Sequence, residues 1–185
     1  MAIRELRQEY PSIPMIGIEP ALKPAVEAKA HSTVLVMATP MTLKKEKFSD
    51  LMHRYESDAK IIKVPCPGLV ELIEGGVLEG PQMEAYLQKV FAGFGKEHMD
   101  AVVLGCTHFP LVKEEIRKAL PAEVKIYDGG AGTARETRRR LVAAGLRRER
   151  KEKGRVIFYN SSEDEKMLEL SRYLLDKAGE EERKS

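Results

Sequence analysis

The chain has 185 residues, with 31 Lys and Arg against 29 Asp and Glu, so its formal net charge is +2. This length allows one full domain or two small ones, and a net charge near zero gives no general case for binding nucleic acid or membranes. No apolar run is long enough to span a bilayer, and the charged, amphipathic first residues do not resemble a signal peptide.

Alternating strand-like and helix-like segments predict the fold class. Short apolar, partly β-branched runs predict six strands, at Pro14–Ile18, Thr33–Ala38, Lys60–Cys66, Asp100–Gly105, Val124–Tyr127 and Arg155–Asn160. Segments with helical periodicity predict six helices, at Pro20–Ala30, Leu43–Tyr55, Glu79–Lys96, Pro110–Leu120, Thr133–Ala144 and Ser162–Ala178. Such alternation predicts an α/β fold with a mostly parallel sheet and helices on both faces. Capping boxes at Thr133–Glu136 and Ser162–Glu165 predict where the last two helices begin.

Two segments near the C-terminus indicate a domain boundary. Asp128–Gly132 contains three glycines before a predicted helix; it lacks the Lys-Ser/Thr of a P-loop, so a domain crossing is favoured over a phosphate site. Arg138–Arg155 is rich in Lys and Arg. Because no aromatic residues are interleaved with these charges, we interpret the run as a solvated helix end and loop rather than a nucleic-acid surface.

Cys106 is the strongest candidate for chemistry. It follows Gly105 at the end of a predicted strand, His108 lies two residues on, and a predicted helix begins beside it. A helix N-terminus and a neighbouring imidazolium both favour the thiolate, which can act as a nucleophile or as an acid and base. The alternative is a small buried side chain that only packs, and the residues alone leave the two readings about equally supported.

Other candidate residues also stand near predicted strand or helix ends. Cys66, between two prolines, is interpreted as a buried structural cysteine, although pairing with Cys106 as a second acid/base thiol is an alternative. Glu74 precedes two glycines at a helix C-terminus, where a carboxylate opposes the helix dipole. Thr39 and Thr42 follow a strand end and suit a carboxylate ligand or helix capping.

Two cysteines form no disulfide scaffold, which favours a reducing cytoplasm. Without a CxxC motif or clustered histidines, no metal site is expected.

These residues resemble the motifs of glutamate racemases. Leu104–Leu111 resembles the second catalytic-cysteine motif of that family, and four further segments also fit: Ile13–Pro20, Met37–Leu43, Cys66–Glu74 and Gly130–Glu136. The resemblance implies a cofactor-independent enzyme in which two cysteines flank the α-carbon of glutamate. One thiolate removes the α-proton, and the opposite thiol returns a proton to the other face.

The resemblance also assigns roles to residues of this chain. It implies that Cys106 is the acid/base on one face, that His108 assists the thiol and contacts substrate, and that Glu74 is an auxiliary acid. Thr107 is expected to bind the substrate, as are Thr39 and Thr42. The position of Cys66 is not catalytic in the family.

One part of the family pattern is missing from this sequence. The Asp-Ser-Gly, Pro-Tyr-Gly and Cys-Asn-Thr motifs, the last carrying the first catalytic thiol, do not occur. We therefore expect residues 11–128 to form a complete second racemase domain, and residues 1–10 and 129–185 to be remnants of the first. With one catalytic face absent, we expect the chain to be inactive or nearly so alone. A separately encoded N-terminal fragment or a start placed at an internal Met is a further reading.

The resemblance leaves two alternatives to glutamate racemisation by the chain. One is a non-catalytic binding or assembly module derived from the racemase, which would self-associate through unpaired strand edges. The other is a related enzyme with two thiols, such as an aspartate racemase or a decarboxylase.

The expected setting is a bacterial cytoplasm, with D-glutamate supplied for peptidoglycan. The expected partners are a small-molecule substrate, a second copy of the chain or a complementing N-terminal fragment, with no nucleic acid, membrane or cofactor.

Overall fold

A computed structural model describes residues 2–94, 98–149, 152, 154–161 and 165–182. The strands are β1 (Thr33–Ala38), β2 (Lys60–Pro65), β3 (Ala101–Leu104) and β4 (Lys125–Tyr127). The helices are α1 (Ala2–Glu9), α2 (Leu22–Glu27), α3 (Pro40–Leu43), α4 (Glu46–His53), α5 (Leu69–Glu74), α6 (Pro81–Ala92), α7 (Lys113–Lys118), α8 (Gly130–Ala143) and α9 (Glu165–Glu182). A 3₁₀ helix at Phe109–Val112 leads directly into α7.

The four strands form one parallel sheet in the order β2-β1-β3-β4. The register aligns Val36 of β1 with Lys63 of β2 and with Val103 of β3, which in turn aligns with Tyr127 of β4. All four carboxyl ends therefore lie at one edge of the sheet, which is where open α/β folds bind their ligands. The predicted α/β fold with a parallel sheet is confirmed.

Both faces of the sheet are covered by helices. Along β1, Val34 and Val36 pack into one apolar cluster with residues of α2 and α4, whereas Leu35 and Met37 pack into a larger cluster with residues of α5, α6 and α7. Alternate side chains of a strand point to opposite faces, so a strand buried on both sides is apolar along its whole length. Burial of β1 on both faces explains why the run Thr33–Ala38 contains no charged residue.

The buried core lies within residues 22–124. Two predicted strands outside it, Pro14–Ile18 and Arg155–Asn160, belong to none of the four strands in the described residues, so these two predictions are wrong. In the second segment Val156 is 64% exposed and Tyr159 is 89% exposed. Their β-branched and aromatic side chains fit a strand, but strand formation also needs a neighbouring strand, which local composition does not supply.

Several helix boundaries also differ from prediction. The predicted helix at Leu43–Tyr55 is divided between α3 and α4, and the helix end expected at Glu74 is the C-terminus of α5. The capping box at Thr133–Glu136 is wrong, because α8 already begins at Gly130 and the Thr133 hydroxyl donates to the Gly129 carbonyl oxygen. Residues Ser162 to Asp164 of the second capping box lie outside the described residues.

Asp100 joins β3 to β1 at the amino edge of the sheet. Its carboxylate accepts hydrogen bonds from Lys29 Nζ at 2.6 Å and from the backbone N–H of Thr33 at 2.8 Å. His98 Nε2 lies 3.0 Å from the same carboxylate. The hydrogen bond from Lys29, then that from Thr33, outweigh burial and lower the pKa of Asp100 to about 2. The carboxylate is therefore stabilised in the charged form by folding.

The lowered pKa of Asp100 predicts a pH dependence of stability. Its pKa of about 2 in the folded chain lies below the ordinary value of 3.8. The stabilisation is therefore present above about pH 4 and is lost as the pH falls through 2. We expect Asp100→Asn to lower the free energy of unfolding at pH 7 by about 1 kcal/mol, a value reduced for solvent screening of Lys29.

Urea denaturation of the parent, Asp100→Asn and Asp50→Asn at pH 7 and at pH 2.5 (about one unit below the ordinary carboxyl pKa) measures this effect. Asp50 is exposed on α4, so its variant should match the parent at both values. A gap between parent and Asp100→Asn that did not shrink at low pH would contradict the assignment.

Gly105 permits the close approach of β3 to β1 where β3 ends. Its backbone N–H donates to the Met37 carbonyl oxygen at 2.8 Å, and an added Cβ would lie 2.8 Å from that same oxygen. We expect Gly105→Ala to lower the free energy of unfolding by about 1–3 kcal/mol because the two backbones must separate. Gly132→Ala in α8 is the matched control: nothing lies within 4 Å of its added Cβ, and alanine favours the helix. Equal stability of the two variants in thermal unfolding would refute the contact.

Candidate functional site

Cys106 lies at the carboxyl edge of the sheet, directly after Gly105, which follows the last residue of β3. Cys106 begins the tight turn between β3 and the 3₁₀ helix at Phe109–Val112, and Phe109 is fully buried in the core. Burial of Phe109 anchors the three-residue loop Cys106–His108 from its far end. The thiol is a free cysteine and is partly exposed, so it is available for chemistry.

A chain of polar contacts extends from the Cys106 thiol through an imidazole to a carboxylate. Cys106 Sγ lies 3.8 Å from His108 Nδ1, and His108 Nε2 lies 3.1 Å from Glu74 Oε1. Glu74 is the last residue of α5, which packs against the 3₁₀ helix that follows His108. With both ring nitrogens engaged, the imidazole can exchange a proton with sulfur on one side while the carboxylate orients the ring on the other.

Cys106 and Thr107 also line a cavity of about 270 Å³. The remaining walls come from three places: the segment before α2, the end of β3 with the loop after it, and the turn after β4. Its other lining residues are Ile18, Glu19, Pro20, Leu104, Gly105, Pro110, Asp128, Gly129 and Gly130. A space of this size suits a ligand smaller than the drug-sized molecules that occupy pockets of roughly 300–1,000 Å³.

The cavity wall includes residues that the sequence did not single out as site residues. Asp128 follows β4 as Cys106 follows β3, so parallel neighbouring strands bring both residues to one edge. Gly129 lies so close to the preceding segment that an added Cβ would be 2.8 Å from the Glu19 carbonyl oxygen and 2.9 Å from Ile18 Cγ1. Gly129 therefore permits close packing of this turn against the segment before α2. The sequence feature that could have identified this part of the cavity wall is an acidic residue, Asp128, directly after a predicted strand.

Thr39 and Thr42 lie at the same sheet edge, after β1, but do not line the cavity. The Thr39 Oγ1 atom accepts the backbone N–H of Thr42 at 3.2 Å, and the two hydroxyl oxygens are 2.9 Å apart. Thr39 is thus the N-cap of the short helix α3. The capping alternative is confirmed for Thr39.

Cys66 is placed differently from Cys106. It is 1% exposed within the larger core cluster, and its Sγ lies 3.4 Å from the Val64 carbonyl oxygen. Burial raises the pKa of the Cys66 thiol to about 12, which holds it in the protonated form at neutral pH. The interpretation of Cys66 as a buried structural cysteine is confirmed.

The two cysteines should differ sharply in alkylation. At neutral pH iodoacetamide should modify Cys106 in the folded chain and leave Cys66 unmodified, as read by peptide mass mapping, because only thiolates in contact with solvent react. Both should react in denaturant. Native modification of Cys66 at a rate equal to that of Cys106 would overturn the placement of the two thiols.

The contact between His108 and Glu74 should affect the reactivity of the thiol. Glu74→Gln replaces a charged hydrogen-bond partner of the ring by a neutral one, a loss of about 1 kcal/mol, so alkylation of Cys106 at pH 7 should slow about fivefold. Glu71→Gln is the matched control, since Glu71 is exposed on the same helix. Equal rates for these two variants would contradict the role of Glu74.

Comparison with known proteins places this geometry among racemases. A model of the Asp/Glu/Hydantoin racemase family matches residues 1–137. The glutamate racemase of Clostridium acetobutylicum is 50% identical over 175 residues, which cover 95% of this chain and 68% of that protein. The glutamate racemase of Clostridium novyi is 45% identical, with coverage of 94% and 68%.

Two solved structures are similar in fold. The structure of Escherichia coli glutamate racemase in complex with L-glutamate and the activator UDP-MurNAc-Ala superimposes with a TM-score of 0.69 at 32% identity, covering 76% of this chain and 53% of that one. The structure of Francisella tularensis glutamate racemase in complex with D-glutamate gives a TM-score of 0.75 at 25% identity, covering 94% and 64%. The chain thus spans between about half and two thirds of the length of these racemases.

Proposed function

Because the chain belongs to the Asp/Glu/Hydantoin racemase family and matches its glutamate racemases, we propose that it supplies one proton-transferring face of a glutamate racemase. The observation that carries the proposal is the contact chain from the Cys106 thiol through His108 to Glu74, beside a cavity at the sheet edge. In this proposal the reaction uses two thiols and no cofactor.

Cys106 performs the proton transfer on its face of the substrate. Its thiolate takes the proton from the α-carbon of glutamate, which forms a thiol and leaves a carbanion. In the reverse direction the thiol returns the proton to the same face. His108 remains hydrogen-bonded to the Cys106 sulfur as that sulfur changes between thiolate and thiol. Glu74 holds the imidazole ring in place.

The substrate occupies the cavity beside Cys106. Thr107 lines it and offers a hydroxyl and a backbone N–H to a carboxylate of glutamate. His108, at the end of the loop Cys106–His108, also contacts the substrate. Thr39 and Thr42 do not line this cavity, but they lie at the same sheet edge, and we propose that they bind a part of the substrate that extends beyond it.

The second proton-transferring group lies outside the contacts described for this chain. Cys66 is buried and protonated, so among the described residues Cys106 is the one thiol at the cavity. We propose that residues 11–128 form one racemase domain and that residues 1–10 and 129–185 belong with another. The confinement of buried residues to 22–124 supports this division. The second thiol then comes from a complementing polypeptide.

The proposal extends to the biological setting. The matched glutamate racemases of Clostridium support D-glutamate as the product, which peptidoglycan synthesis in a bacterial cytoplasm consumes. Among the described residues no helix is long and apolar enough to cross a membrane.

The 185-residue chain alone should not invert glutamate. Circular dichroism of D- or L-glutamate solutions with the purified chain should stay constant. A polypeptide with the third of the C. acetobutylicum glutamate racemase that this chain does not match should restore inversion when mixed with it. The same mixture with the Cys106→Ala chain should remain inactive, and aspartate should not be inverted. Inversion by the chain alone, or by the Cys106→Ala mixture, would contradict the proposal.

A further inference from the structure

An ion pair lies beside the cavity that contains Cys106, because its acidic partner Asp128 lines that cavity. Lys113 Nζ lies 3.0 Å from Asp128 Oδ2, with side-chain exposures of 39% and 20%. Lys113 is the first residue of α7, the helix that follows the Cys106 loop, and Asp128 follows β4 on the neighbouring strand. The pair therefore connects the start of α7 with the turn after β4, two places that are separated in the chain.

The Asp128 carboxylate uses both of its oxygen atoms. Its Oδ2 atom accepts a hydrogen bond from Lys113 Nζ. Its Oδ1 atom accepts a hydrogen bond of 2.9 Å from the backbone N–H of Gly130, the first residue of α8. Gly129, between them, packs against the Ile18 side chain and the Glu19 carbonyl oxygen. The Asp128 carboxylate thus contacts the start of α7 and the start of α8. The adjacent Gly129 contacts the segment before α2, which forms another wall of the cavity.

We propose that Lys113 and Asp128 are positioning residues for Cys106: their ion pair ties the loop that carries the thiol to the turn that closes the cavity, and it balances the charge on that side. This role rests on the proposed function of Cys106 as a proton carrier. Neither residue touches the reacting atoms. Their effect on Cys106 is through the shape of the loop and through the electric field in the cavity.

Charge balance follows from the ionised state of the pair. Burial raises the pKa of Asp128, but hydrogen bonds from Lys113 and Gly130 outweigh it and hold the pKa below its ordinary value. The carboxylate is therefore charged at neutral pH and is paired with the Lys113 ammonium, so the two charges balance beside the cavity. Removing either partner alone leaves an uncompensated charge of known sign beside the cavity.

The thiol is surrounded by several other titratable groups, which the test must hold constant. They come from its own loop, from α5, from the segment before α2, and from the residue after β2: His108, Glu74, Glu19 and Cys66. None of these is altered in the variants below, so a change in the pH profile reports on Lys113 and Asp128.

The pH profile of Cys106 alkylation tests the proposal. Rates with iodoacetamide are measured from pH 5 to 10 (roughly the range that contains thiol titrations in proteins) for the parent, Lys113→Met, Asp128→Asn and the double variant. Lys113→Met leaves the carboxylate unbalanced, so the midpoint of the profile should rise by on the order of half a pH unit. Asp128→Asn leaves the ammonium unbalanced, so the midpoint should fall by a similar amount. The double variant should return to the parent midpoint.

Two controls separate the electric field from general damage. Lys113→Arg keeps the charge and should keep the parent midpoint, and Lys23→Met removes a lysine from the exposed Lys23–Glu27 pair and should also leave it unchanged. The opposite shifts should shrink in 1 M salt (a Debye length of about 3 Å). Shifts in the same direction, no shift, or a double variant that does not return would each overturn the proposal. Because alkylation needs no turnover, failure here is distinguishable from failure of the inversion experiment.

Discussion

The parallel pairing of β3 between β1 and β4 is the constraint on which the rest of the structure depends. It brings the ends of three strands to one edge, so the loops after them meet although they lie far apart in the chain. The absence of a side chain at Gly105 allows β3 to reach the Met37 carbonyl oxygen, and this contact sets where Cys106 emerges. The cavity and the contact to His108 follow from that placement.

The chemistry of the site comes from contrast between two cysteines at the same edge. Cys66, after β2, is sealed in the core, where burial raises its pKa and keeps its proton on sulfur. Cys106, after β3, faces a cavity on one side and His108 on the other, with Glu74 behind the ring. A single fold thus buries one thiol in its protonated form and leaves the other partly exposed beside an imidazole, which is the arrangement that the proposed proton transfer requires.

Local sequence predicted those parts of the fold that depend on burial and strand order. The apolar run Thr33–Ala38 indicated a strand, and a cysteine after a glycine indicated a strand end; both are found. Helical periodicity indicated most helices but not their ends, since Thr133 lies inside α8 rather than at its start. The segment Arg155–Asn160 fits a strand in composition, yet pairing depends on a neighbour that composition does not reveal. The Lys113–Asp128 pair was not predictable, because its residues meet only through the register of β3 and β4.

In the proposed function, this chain carries one face of a two-faced proton transfer. Proton NMR of L- and D-glutamate in D₂O with the purified chain tests it most directly. We expect deuterium to replace the α-proton of one enantiomer without inversion, because Cys106 takes the proton, exchanges it with solvent and returns deuterium to the same face. Cys106→Ala should abolish that exchange. Exchange of both enantiomers, exchange of neither, or exchange that survives in Cys106→Ala would contradict the account.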